Sequence, residues 1–164
     1  MYMQGFDRDR YLSRKTVTSF LHPARAVARS VNEPYEENLS RHLVEFWQTK
    51  LPGKVWVMPM SHWAYELDFG SRDWLPAVLE QIDLDPGLLQ DRTNGAALEF
   101  SSDESERLGF LVRRLLESLT QSDFMIAFPD RPVLCTVHHH KQLWWTTTDA
   151  TIHIALDGVQ FAER

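Results

Sequence analysis

Apolar residues recur at two spacings along this chain, and the changes from one to the other mark out its elements. Leu39, Leu43, Phe46 and Trp47 fall on one side of a 3.6-residue repeat. Pro34 opens this stretch, Glu36 and Glu37 lie in its first turn, and Lys50 and Pro52-Gly53 close it. Carboxylates suit the positive end of a helix and a Pro-Gly pair stops it, so the pattern predicts a helix from Pro34 to Lys50. A stronger pattern follows Ser101, which with Glu104 fits a reciprocal capping box. Behind it Leu108, Leu111, Leu115 and Leu119 align, widened by Val112 and Leu116, and predict a helix over Asp103–Thr120. A third helix is expected after Gly70, with Ser71 as its cap and Trp74, Leu75, Val78, Leu79 and Ile82 as its stripe. Asp85-Pro86 should cap one further helical turn. Nearer the start, Ala24, Val27, Ala28 and Val31 repeat behind Pro23 and predict another helix.

Elsewhere the period shortens to two. The run 54–60 (KVWVMPM) is short and rich in β-formers, and 63–69 (WAYELDF) alternates. The pair reads as a hairpin turning near Pro59–His62, with Trp63, Tyr65, Leu67 and Phe69 on one face and Glu66 and Asp68 on the other. Residues 96–101 (AALEFS) read as a strand. After Thr120 come four extended runs, DFMIAF, PVLCTVHHH, LWWTTTD and TIHIALD, separated by short turns. Consecutive strands with short connections favour an antiparallel meander. The expected architecture is a single two-layer α+β domain over residues 1–164. Its sheet is mainly antiparallel with helices packed on one face, N-terminal helices and a C-terminal β-meander. Residues 1–11 are expected to form a loose arm.

Composition adds limits. The chain has 164 residues, 43% of them hydrophobic, with six Trp and nine Phe, which is enough to build a core without a disulfide or metal. The single cysteine, Cys135, rules out an internal disulfide and reads as a buried small side chain of a cytoplasmic protein. No apolar run reaches the roughly 20 residues of a membrane span. Net charge is -6, with the basic excess confined to residues 1–30 and an acidic remainder. That balance argues against a nucleic-acid surface, which needs clustered Lys and Arg. No phosphate loop, dinucleotide fingerprint, nucleophile elbow, zincin helix or C-x-x-C occurs.

Candidate chemistry gathers near the C-terminus. In a strand running through His138-His139-His140, His138 and His140 would share a face and His139 would oppose them. With His153 from a later strand they would supply three imidazoles to zinc or another divalent transition metal. Glu66 and Asp68 on one strand face are the candidate acid and base. Trp144 and Trp145 are adjacent, so one of them should point away from the core and anchor a partner. The leading expectation is a small, acidic, non-catalytic module without a resident cofactor. It would bind a protein or small ligand through His138, His140, Trp144 and Trp145, with a second copy of the chain as one admissible partner. The alternative, from a different class, is a metal-dependent hydrolase-like enzyme with His138, His140 and His153 as ligands and Glu66 or Asp68 as base.

Overall fold

Leu39, Leu43, Phe46 and Trp47 are all buried along one face of Tyr35–Lys50 (α1). The Trp47 indole donates to the carbonyl of Gly53 at 3.0 Å, and Gly53 takes a φ of 134°, which lets the chain reverse into the first central strand. The computed structural model describes residues 2–5, 22–24, 35–90, 96–129 and 131–158. In chain order these form Tyr2–Gly5 (β1), His22–Ala24 (β2), α1, Val55–Pro59 (β3) and the short helix Trp63–Tyr65 (α2). Leu75–Gln81 (α3), Gly87–Gln90 (α4), Ala96–Phe100 (β4) and Ser105–Ser118 (α5) follow. Phe124–Ala127 (β5), Val133–His138 (β6), Gln142–Thr147 (β7) and Ala150–Gly158 (α6) complete the described chain.

The strands make one antiparallel sheet in the order β1-β4-β3-β5-β6-β7-β2. β4 and β5 both pair with β3, so the chain carries α5 across the sheet between them. β5, β6 and β7 are the expected meander. α1 and α5 lie side by side. Leu108, Leu111, Val112, Leu115 and Leu116 of α5 join the α1 stripe and the inward residues Val55, Val57, Leu98, Phe100, Ile126 and Cys135 in the main core. The chain is therefore an α+β domain with its helices on one sheet face. The Ser101–Glu104 capping box forms as expected, leading through a 3-10 turn into α5. Asp85 caps α4, accepting from the Gly87 N–H at 2.9 Å. Cys135 is fully buried in the core, and that burial pushes its thiol well above the ordinary range. Among the described residues no helix is long and apolar enough to cross a membrane.

Four expectations are corrected. Residues 63–69 are not a strand: α2 continues as a π-helical turn, Glu66–Gly70, closed by the Ser71 N–H on the Glu66 carbonyl at 2.8 Å. The last run, 151–157, is helical too, because Asp149 caps α6 by accepting from the Thr151 N–H at 2.8 Å. Ser71 does not cap α3; its hydroxyl turns back to Glu66. Pro23 and Ala24 belong to β2 rather than to a helix, and proline fits there because β2 is the outermost strand. The rest of that expected helix, with Val27, Ala28 and Val31, lies outside the described residues. Of the arm expected over residues 1–11, Tyr2–Gly5 pairs with β4 and the remainder lies outside the described residues.

The opposite sheet face carries a second, smaller apolar cluster of Met58, Ala97, Met125, Ala127 and Leu134, flanked by Trp56. Glu99 is buried on this face, accepting from Lys54 Nζ at 2.7 Å and Trp56 Nε1 at 2.9 Å. Burial alone would raise its carboxyl, but these two bonds and the Lys54 charge outweigh it and hold Glu99 below its ordinary 4.5. A depressed folded-state pKa stabilises the fold above the unfolded value and loses that contribution as pH falls through the folded one. Wild type should therefore lose part of its urea midpoint between pH 5 and pH 3, and Glu99→Gln should lose less over the same interval. Equal losses would show that Glu99 does not contribute to the acid limb.

Candidate functional site

β6 and β7 are joined by a three-residue loop. The His138 carbonyl accepts the Lys141 N–H at 2.9 Å, His138 pairs with Gln142, and Lys141 takes a left-handed φ of 60°. A hydrogen bond across three residues followed by a left-handed residue is the pattern of a three-residue hairpin loop. Lys141 Nζ reaches Glu36 Oε1 at 2.6 Å and pins the hairpin to the start of α1. The strand thus ends at His138, and His139 and His140 occupy the turn. Alternation no longer separates them. The three rings converge, with centroids 4.2 Å (138–139), 4.8 Å (138–140) and 4.4 Å (139–140) apart.

Asp123, one residue before β5, organises the cluster. Its Oδ1 accepts from the His139 backbone N–H at 2.9 Å and lies 2.8 Å from His139 Nδ1. A carboxylate accepts, so His139 carries its ring proton on Nδ1 and leaves Nε2 as a lone pair. Asp123 Oδ2 lies 3.8 Å from His138 Nε2. His138 Nδ1 accepts the His140 N–H at 3.1 Å, which places the neutral His138 proton on Nε2. Burial lowers the His138 pKa, Asp123 opposes this, and the neighbouring histidines add to the lowering. Asp123 had no signal of its own in the sequence. It becomes visible only once Phe124 is known to face Val137, which puts residue 123 beside His138.

The two adjacent tryptophans divide as expected. Trp145 is 3% exposed in the main core, with Phe46 edge-on at 5.2 Å and Phe128 stacked at 5.9 Å. Trp144 lies half-buried on the other face, 5.6 Å from the His138 ring, with its indole donating to Gln142 Oε1 at 3.0 Å. His153 sits on α6 and is not part of the histidine cluster.

Glu66 and Asp68 do not share a face. Asp68 is exposed and accepts from Gln90 Nε2 at 3.4 Å. Glu66 is 0% exposed and is caged by three serine hydroxyls. Ser61 donates to Oε1 at 2.6 Å, and Ser71 and Ser122 donate to Oε2 at 2.8 and 2.9 Å. With its oxygens engaged in this way, Glu66 ties the turn after β3 to the loop before β5. The same loop supplies Asp123, whose carbonyl accepts the Met60 N–H at 2.9 Å. That bond ties the loop to Met60, and three apolar side chains of the segment 60–69 are exposed, two of which, Tyr65 and Phe69, the strand reading puts on one face with Trp63 and Leu67. Phe69 is 73% exposed, Met60 45% and Tyr65 41%. Tyr65 and Phe69 lie 6.1 Å apart, with His62 edge-on to Tyr65 at 6.0 Å.

Neither a protein-family model, nor a curated protein, nor a solved structure matches this chain.

Proposed function

We propose that this domain is a non-catalytic binding module whose partner, a protein or a small ligand, meets the sheet end formed by His138, His139, His140 and Trp144. The observation that carries the reading is the company these residues keep. A half-buried tryptophan stands 5.6 Å from His138 in a cluster of three converging imidazoles, and Asp123, which holds His139, also accepts the N–H of the exposed Met60. A tryptophan set among hydrogen-bonding side chains is a common anchor of partner surfaces. Trp145, first grouped with this surface, serves it from behind as core. A cytoplasmic setting belongs to the same reading and rests on the lone, buried Cys135 thiol.

The test compares wild type with Trp144→Ala and Met60→Ala in sedimentation, for association with a second copy, and in pull-down against candidate partners. A folded Trp144→Ala protein should lose the association that wild type makes. If both variants keep every association at wild-type strength, this surface is not the binding site.

The three-histidine cluster also favours a second reading, the metal-dependent hydrolase. It would need a base, and the two carboxyls considered for that role are a fully caged Glu66 and an Asp68 bonded to Gln90 on the π-helical turn. The first reading therefore fits the geometry better. Hydrolysis of model esters or phosphodiesters by zinc-supplemented protein, lost in His139→Ala, would reverse that ranking.

A further inference from the structure

We propose that His138, His139 and His140 together bind one divalent transition-metal ion of the zinc, copper or nickel type, with Asp123 as the orienting residue behind them. For its location, the inference rests on the binding-surface reading above. The ligand atoms of the three imidazoles lie within 4.8 Å of one another. Zinc–nitrogen bonds of about 2.0–2.1 Å in a tetrahedron put the nitrogens roughly 3.4 Å apart. Closing that gap takes a shift on the order of 1.5 Å at the ring nitrogens, within reach of side-chain rotation. Imidazole sets suit zinc, copper and nickel rather than magnesium or calcium, which take oxygen ligands.

The three ligands are not equivalent. His139 is prepared: its Nδ1 proton is committed to Asp123 at 2.8 Å, which fixes the ring and keeps Nε2 as the lone pair for ligation. His140 is exposed at the tip of the turn, where its ring can swing toward an ion. His138 needs a rearrangement. Its Nδ1 now accepts the His140 N–H, so ligation through Nε2 moves the ring proton to Nδ1 and releases that bond. His139 therefore contributes most to affinity and His138 least. Three protein ligands would leave a fourth position for water or a partner's group, as in an open site. His153, on α6, takes no part.

The test uses the untagged full chain titrated with zinc chloride alone by calorimetry. One equivalent should bind saturably. Asp123→Asn should weaken binding about 10–100-fold, the usual cost of losing a carboxylate behind a histidine ligand. His139→Ala should weaken it more than His138→Ala does. Copper(II) should quench tryptophan emission, and Trp144→Phe should remove the largest single share of that quenching, since this indole lies 5.6 Å from His138. Thermal melts of each variant check that the hairpin is intact. Absence of saturable binding, or binding that survives replacement of all three histidines by alanine, overturns the proposal. Zinc binding that fails while the Trp144-dependent association persists defeats the metal site alone. Zinc binding that persists while no association depends on Trp144 defeats the partner surface alone.

Discussion

Replacing Glu66 by alanine should lower the unfolding free energy by about 2–4 kcal/mol, read from the urea midpoint at constant m-value. Three hydroxyls, those of the buried Ser71, the half-buried Ser122 and the exposed Ser61, would lose their acceptor together. Removing the acceptor strands the buried Ser71 hydroxyl and breaks two further bonds, which is why the expected loss exceeds that of an ordinary hydrogen bond. Glu66→Gln should cost only about 1 kcal/mol, because one oxygen stays and serine hydroxyls can rotate to accept from the new amide. Gly70→Ala tests the same cage from outside. A Cβ there would lie 2.7 Å from Glu66 Oε2 and 3.0 Å from Tyr65 Cε1. The glutamate cannot step aside without breaking two serine bonds, so a loss of about 1–3 kcal/mol is expected. A Glu66→Ala loss below about 1 kcal/mol would mean that the cage is not a main tie between these two loops.

The two adjacent tryptophans should separate just as widely. Trp145→Ala empties a place between Phe46 and Phe128 and should cost about 3–5 kcal/mol. Trp145→Phe should cost much less, since the indole N–H is buried without an acceptor among the described residues and its loss is no penalty. Trp144→Ala removes a half-buried ring outside the main core and should cost about 1 kcal/mol. Chemical denaturation of the three variants reads this order directly. Comparable losses from the two alanine substitutions would place Trp144 in the core as well and remove it from the partner surface.

The long elements were legible because their patterns admit one period only. Over the fourteen residues of α5, buried positions at 108, 111, 112, 115 and 116 fit no strand. The two misread runs share a different property. Positions i and i+4 lie on one face in both a helix and a strand, and only i+2 tells them apart. In 63–69, Trp63 and Leu67 are buried while Tyr65 and Phe69 are apolar and exposed. In 151–157, Ile152 and Leu156 are buried while Ile154 is 70% exposed. Apolar residues at the discriminating position imitate a strand. The capping aspartate at 149 was the overlooked helix signal. The histidine cluster was visible as a triplet, but its geometry depends on where β6 stops and on Asp123 fifteen residues upstream, and neither follows from local spacing.

The positions of β1 and β2 bear on how the chain folds. Both outermost strands come from the first 24 residues, one against β4 and the other against β7. The N-terminal residues leave the ribosome first, yet β2 must wait until β7 has been made. Closing that pairing spans most of the chain, the kind of distant contact that slows folding. Until then β7 has an unpaired edge, open to pairing with another molecule. On this topology an edge of the sheet is completed by residues synthesised long before their partner strand, and the interval before they dock leaves β7 open to misassembly.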